Sequence, residues 1–447
     1  MNSSTAVSVS AVSPPRLLLI LFLATFLNYY DRALPAVLME PIRVEFGLSD
    51  TWLGLINAAF TVTYALFGIL LGRLADTGVR KRVIGYGLIA WSAATALSGS
   101  AAGLGGFLLA RVGVGIGEAS CAPTAQSMIA DLYPAQRRSR AIGLVMLGLP
   151  LGLVAAFLSG GAIATALSSW RAVFWLAAVP GALLGCVMLL LPEPPRQAQQ
   201  EDALAGGMGT ALRQVWAVPS MRWLTLGAIG FGLAGYVGTG FMVALLQRHF
   251  QLPLVQAGVI SGAIIGGSGL VAMVGGGWLA DALQQRWKTG RLNLATLASG
   301  AGALLTLIAL RLPTTRVGWF VALFAVGWLA TYLFTVCGYP ALQEVVASRQ
   351  RAIAMAVNLC IGNVVGGGCG VVLVGALSDR FALASAQAAG QALDDLHRGA
   401  GLASAMLLIP VAMAIMALAT WRAAHHFVAD QQRVQPTLSV VDRAASR

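Results

Sequence analysis

The 447-residue sequence predicts an all-α polytopic membrane protein, with twelve transmembrane helices in two pseudo-symmetric six-helix bundles. Three observations predict it. The first is composition: 57% of residues are apolar before 53 glycines are counted, and only 10% are charged, whereas soluble domains carry about 25% charged residues. The second is that apolar windows of about 20 residues, enough to cross a hydrocarbon core of about 30 Å, recur along the whole chain. The third is an internal repeat. Gly72-Arg-Leu-Ala-Asp76 returns as Gly277-Trp-Leu-Ala-Asp281, and Arg138-Ser-Arg-Ala-Ile142 returns as Arg349-Gln-Arg-Ala-Ile353, at nearly the same offset.

The windows fall near 16–39, 51–75, 83–102, 105–131, 139–167 and 170–191 in the first half. In the second half they fall near 222–246, 256–281, 292–312, 317–343, 351–378 and 401–423. The expected organisation is a disordered tail at 1–15, a first bundle at 16–191, a linker at 192–221, a second bundle at 222–423 and a tail at 424–447. Arg16 and the apolar run that follows mimic a signal peptide, but Asn28-Tyr-Tyr-Asp-Arg32 stands where a small-residue cleavage site is needed, so the segment reads as an uncleaved first span. Parallel halves of this kind face one another across a central cavity in transporters that alternate access by rocking.

Charge placement sets orientation. Twenty Lys and Arg residues fall on the side of the termini and seven on the other, which puts both termini in the cytoplasm and the protein in the plasma (inner) membrane. The net charge of +12 is therefore mostly topological, and no nucleic-acid partner is expected. The five cysteines lie in apolar runs without a CxxC pair, which excludes a zinc site or disulfide framework on spacing. No cofactor and no metal are expected, and a monomer is.

Ionisable residues inside spans are expensive, by about 2.5–3.5 kcal/mol each, and are functional by default. Span 1 carries Asp31 and Arg32; span 4 carries Arg111 and Glu118. At about 1.5 Å per residue, Asp31 and Arg111 reach the same depth, roughly 9 Å below the outer edge of the core. Glu118 follows Arg111 by two turns on one helix face, about 10 Å deeper. The expected arrangement is a ladder of carboxylate, guanidinium and carboxylate. Asp31 and Glu118 would take and release protons while Arg111 holds an anionic substrate group; a static ion pair locking spans 1 and 4 would use the same residues. Arg32 points about 100° from Asp31, and either joins the ladder or snorkels outward.

Several motifs resemble a known family. Gly72-Arg-Leu-Ala-Asp-Thr-Gly-Val-Arg-Lys-Arg82 resembles the loop signature of the major facilitator superfamily, although Thr77 stands where that loop usually has a basic residue. Asn28-Tyr-Tyr-Asp-Arg32, Leu48-Ser-Asp-Thr-Trp-Leu-Gly54, Arg111-Val-Gly-Val-Gly-Ile-Gly-Glu-Ala119, Ile129-Ala-Asp-Leu-Tyr133 and Gly375-Ala-Leu-Ser-Asp-Arg380 are similar to the Spinster-like family within it. The resemblance implies that fold, and a secondary transporter of a lysolipid- or sphingoid-like amphiphile. It also implies a cytoplasmic gate of Asp76, Arg80 and Asp131 that closes the halves together in the outward-open state. On physical grounds Asp76 can also sit against the helix N-terminus near Arg351 and gain from its dipole. Lys81 and Arg82 read as topology signals.

Other polar positions in the spans, among them Asn28, Tyr30, Gln126, Tyr236, Tyr332 and Asn358, suit either a cavity wall or interhelical hydrogen bonds. Spans 7 to 12 contain no mid-span charge. One charged wall and one apolar, aromatic-dotted wall suit a small amphipathic or anionic substrate moving with protons through membrane lipid. An organic-anion/proton symporter and a non-transporting receptor or scaffold are the alternatives. A receptor should carry a folded soluble domain, and an intramembrane enzyme should show span-interior His or a paired catalytic Asp; neither feature is evident. The glycine runs at 113–117 and 366–368 follow no soluble strand, so they read as helix packing rather than phosphate cradles.

Overall fold

The computed structural model describes residues 13–194, 196, 207–347 and 350–434. Among them every regular element is helical and none is a strand, as hydrocarbon demands: a spanning segment must satisfy its own backbone N–H and C=O groups. In order, the first half contains α1 (Pro14–Val37), α2 (Met39–Phe46), α3 (Asp50–Thr77), α4 (Arg80–Gly99), α5 (Leu104–Glu118), α6 (Cys121–Leu132), α7 (Ala135–Met146), α8 (Gly148–Ala166) and α9 (Trp170–Leu190). The linker contributes α10 (Gly207–Ala217). The second half contains α11 (Pro219–Arg248), α12 (Leu254–Gly262), α13 (Ser268–Arg286), α14 (Gly290–Leu310), α15 (Val317–Glu344), α16 (Arg351–Ile361), α17 (Gly370–Ala389), α18 (Asp395–Ala405) and α19 (Leu408–Val434). Five-residue and eight-residue π-helical stretches, Ala263–Gly267 and Gly362–Cys369, join α12 to α13 and α16 to α17.

Eleven segments among the described residues are long and apolar enough to cross a membrane. The twelfth expected span is α4, 20 residues long, whose start is Arg80-Lys-Arg82 and whose buried face includes Ser92, Thr95 and Ser98. The Ser98 hydroxyl donates within the helix, to the Ala94 carbonyl at 3.0 Å. Large apolar side chains elsewhere point away from protein, with Leu190 84% and Trp278 77% exposed, as expected of surfaces facing acyl chains, where helices gain nothing from hiding hydrocarbon.

Three spans are broken, and proline accounts for each break. Proline lacks an N–H and its ring collides with the carbonyl four residues upstream. Pro123, Pro150 and Pro410 put that collision at Ala119, Met146 and Met406, where α5 gives way to α6, α7 to α8 and α18 to α19. Pro180 and Pro340 sit inside unbroken helices. The first break leaves Glu118 as the last residue of α5.

The chain forms two compact units, one from Met1–Leu34 with Thr63–Gln200 and the other from Pro35–Val62 with Glu201–Arg447, over their described residues. In the first, α4 packs along α5 and α9. A Cβ on Gly117 would lie 2.7 Å from Trp91 Cβ and 2.8 Å from Trp91 N, so the glycine lets α5 lie directly on α4. Phe107, Trp170 and Phe174 fill the core edge-to-face, with centroids 5.9–6.1 Å apart. In the second unit the core includes a run of rings on α15, Phe320, Phe324 and Trp328, spaced 5.3 and 5.7 Å.

Candidate functional site

The first unit holds a buried cluster of charge built from two helices. α1 supplies Asn28, Asp31 and Arg32, and α5 supplies Arg111 and Glu118. Asp31, Arg111 and Glu118 are each no more than 2% exposed. Arg32 settles on Glu118: its Nη2 donates to Oε2 at 3.1 Å and its Nε reaches the same oxygen at 3.4 Å. Arg32 Nη2 also donates to Asn28 Oδ1 at 3.0 Å, and Asn28 Nδ2 reaches the Glu118 carbonyl at 3.4 Å. The guanidinium lies over the rings of Tyr29 and Tyr64, 4.7 and 4.4 Å from their centroids, a cation–π box. Of the two directions the sequence leaves open to Arg32, the inward one is taken.

Asp31 differs from Glu118. Neither of its oxygens makes a geometrically sound hydrogen bond among the described residues. The charges of Glu118 and Arg111 act on it, and the buried Trp91 side chain is a neighbour. Arg111 in turn feels Glu118, Asp31 and Arg32. The four charged groups thus act as one electrostatic unit with two positive and two negative members. Such a cluster is neutral when both carboxylates are ionised and carries one surplus positive charge when either takes a proton. A buried surplus charge costs several kcal/mol unless it is compensated.

A second cluster forms where α4 begins. The Arg80 side chain is buried and donates to Asp131 Oδ2, to Glu193 Oε1 at 3.2 Å, to Ser127 Oγ at 3.4 Å and to the Pro194 carbonyl at 3.0 Å. The backbone amides of Arg80 and Lys81 donate to the two Glu193 oxygens at 3.2 and 3.0 Å, so Glu193 caps the start of α4. Lys81 Nζ bonds the Leu189 and Leu191 carbonyls at 3.2 and 2.6 Å and caps the C-terminal end of α9. The structure thus gives Lys81 a bond beyond topology signalling. The Asp76 side chain, with its expected contact to the helix N-terminus near Arg351, lies outside what the structure describes. Glu193 went unnoticed in sequence because Pro192-Glu-Pro-Pro195 looks like the start of a linker; an acid flanked by prolines just past an apolar span was the available signal.

The repeat supplies a counterpart. Arg291, in the first turn of α14, donates to Asp281 Oδ1 at 2.7 Å and to Glu344 Oε1 at 2.6 Å. Asp281 answers to Asp76 in the repeated motif, and Glu344 ends α15 much as Asp131 sits at the end of α6. Each half therefore clasps its third helix to the end of its fourth by an Arg–carboxylate pair.

The remaining polar candidates scatter. Tyr30 pairs with Ser159 Oγ at 2.8 Å, joining α1 to α8. Gln126 is exposed on α6. Tyr236 and Tyr332 are half-buried, each ring lying where a Cβ on Gly367 or Gly269 would touch it. Asn358 Nδ2 reaches Thr225 Oγ1 at 3.4 Å. Tyr30 and Asn358 thus serve as links between helices.

Residues 21–371 match the family described as Major Facilitator Superfamily. An MFS-type efflux pump of Mycolicibacterium smegmatis (strain ATCC 700084 / mc(2)155) is 34% identical over 427 residues, covering 92% of each chain. The sphingosine-1-phosphate transporter SPNS2 of Mus musculus is 27% identical over 387 residues, 80% of this chain and 69% of that one. Among solved structures, a bacterial homologue of the human lysosomal transporter Spinster, in an inward-facing and unoccupied conformation, superposes with a TM-score of 0.81 at 28% identity, over 93% of this chain and 98% of the other. The family match at residues 21–371 includes the buried charge cluster, and the chain belongs to the Major Facilitator Superfamily as a Spinster-like transporter, a multi-pass integral membrane protein and not an enzyme.

Proposed function

We propose that this protein is a proton-coupled secondary transporter that works by alternating access, and that it moves an amphipathic, lipid-like substrate of the lysophospholipid or sphingoid type. The observation that carries the coupling is the buried group of Asp31, Arg32, Arg111 and Glu118, balanced in charge inside the span region. A proton on Asp31 or Glu118 frees positive charge on Arg111 for an anionic head group. Loss of the proton restores the internal pairing and expels the anion. The Arg32–Glu118 hydrogen bonds make Glu118 the better-held carboxylate, so Asp31, with neither oxygen well bonded, is the group to exchange the proton. Spans 7 to 12 lack mid-span charge, which suits the apolar part of an amphiphile. The names of the Spinster relatives point the same way. The Lys/Arg asymmetry favours cytoplasmic termini and residence in the inner membrane, with the monomer as the working unit.

The test is flux in proteoliposomes: labelled lysophospholipid under an imposed pH gradient, with Asp31→Asn and Arg111→Ala. Gradient-dependent flux lost in both variants is the expected result. Flux that ignores the gradient and survives Asp31→Asn overturns the coupling. Absence of lipid flux together with gradient-driven uptake of a small organic acid selects the organic-anion symporter reading, to which the same guanidinium pair would also answer.

A further inference from the structure

Where α11 begins and α19 nears its end, the second unit presents an arginine that no carboxylate neutralises. Arg422 is exposed and makes no ion pair among the described residues. It sits on indole rings from two helices: its Cζ is 5.0 Å from the centroid of Trp421 on α19 and 5.9 Å from that of Trp223 on α11. His425 meets Trp421 edge-on at 4.8 Å, with its Nδ1 2.8 Å from the Trp421 carbonyl. Asp430, the acid on this stretch of α19, is buried and turned to α11. It accepts the Ser220 amide at 2.9 Å and the Ser220 hydroxyl at 2.7 Å.

A guanidinium held by ring faces keeps its in-plane donors for another acceptor. Cation–π attraction acts through the face of the group, whereas a phosphate is gripped in the plane of the fork. The comparable pair in the first unit is already spent: Arg171 lies 4.3 Å over Trp170, but its Nη2 donates to the Ala101 carbonyl at 2.7 Å. Behind Arg422, the same face of α19 turns apolar. Val411, Ala414 and Leu418 are exposed at the helical spacing that leads to Trp421, Arg422 and His425. From Val411 to Arg422 is about 16 Å along the axis, close to half of a hydrocarbon core of about 30 Å. A cation, then indoles, then an apolar strip one leaflet deep match a molecule with an anionic head and acyl chains.

We infer that this face binds one anionic phospholipid of the surrounding bilayer, with its phosphate on Arg422, its glycerol region against Trp223 and Trp421, and an acyl chain along Leu418 and Val411. Basic sites between spanning helices are suited to such head groups. With no carboxylate beside Arg422 to receive an ammonium, the site favours an anionic head over a choline head. It shares no residue with the buried charge cluster, so the lipid is a resident one and the inference is independent of the transported substrate.

Native mass spectrometry of the full-length protein in detergent, titrated with equimolar phosphatidylglycerol and phosphatidylcholine, reads the site without transport. One phosphatidylglycerol should be retained in preference to phosphatidylcholine. Arg422→Gln should lower that preference about five-fold, the factor one basic residue is worth at an anionic surface. Arg286→Gln removes an equal charge from the exposed end of α13 and should leave the preference unchanged. Leu418→Asn should also weaken retention of phosphatidylglycerol, and excess glycerol 3-phosphate should not displace it. Arg422→Lys keeps the charge and loses the fork; it should fall between the wild type and Arg422→Gln, and it serves if Arg422→Gln fails to fold. Equal retention of the two lipids, or a preference that survives both Arg422 variants, would overturn the site. So would an equal loss in Arg286→Gln, which would mark general charge attraction, or displacement by glycerol 3-phosphate, which would mark a soluble phosphate as the ligand.

Discussion

Arg32 Nη2 sits 3.1 Å from Glu118 Oε2, with the Glu118 side chain fully buried and Arg32 only 15% exposed. The pair ties the C-terminal part of α1 to the last residue of α5, the point at which Pro123 breaks the span. Without that break α5 would run on as regular helix through Ala119.

Removing one member of such a pair leaves a buried charge. Arg32→Ala is expected to lower unfolding stability by about 3 kcal/mol, the lower end of the range for broken buried pairs, because Arg111 still acts on Glu118. Adding Glu118→Gln should return most of the loss. Thermal unfolding of the single and double variants in detergent checks this; equal damage from the double variant and the sum of the singles would mean the two residues are energetically independent.

Arg80 meets four acceptors through three nitrogens, a pattern a lysine ammonium cannot reproduce. Arg80→Lys should therefore destabilise by about 1–3 kcal/mol through buried acceptors left unsatisfied. Glu193→Gln should cost no more than about 1 kcal/mol, since its side chain is 31% exposed and exposed pairs contribute little. The ordering is the prediction, read from melting curves of the two variants.

Gly117→Ala should cost about 1–3 kcal/mol, the typical penalty of overpacking, because its new methyl collides with Trp91. Gly105→Ala on the same helix meets nothing within 4 Å and should be neutral or stabilising by up to about 1 kcal/mol. Comparing the two melting temperatures separates steric contact from helix propensity.

Asp394 caps α18, accepting the His397 amide at 2.9 Å and lying 2.6 Å from its Nδ1. The His397 backbone N–H holds the Asp394 carboxyl below its ordinary value. A group lowered in the folded state contributes stability above its unfolded value and loses it as pH falls through the lowered folded value. Amide exchange in the first turn of α18 should therefore stay slow from neutral pH down through the ordinary Asp range and quicken only below it. Asp394→Ala should quicken it at every pH; slow exchange in that variant would show that other contacts hold the turn.

Much of this protein is legible in its sequence, and the reason is the solvent. Hydrocarbon accepts only self-satisfied helices of sufficient apolar length, so twelve windows, their repeat and their Lys/Arg asymmetry can be read residue by residue. The same rule singles out Asp31, Arg32, Arg111 and Glu118, because charge in such windows is rare. Depth arithmetic expects Asp31 and Arg111 at one level and Glu118 deeper on the same face. It does not decide that Glu118 bonds Arg32, since that depends on helix rotation and on the break four residues before Pro123. Glu193 on Arg80, Glu344 on Arg291, and Asp379 over the start of α3 lie still further from sequence logic. Their partners are separated by 53 to 329 residues, and at helix ends, where charge is common, composition marks no residue as special. Only the packing of one helix against another chooses which carboxylate meets which donor.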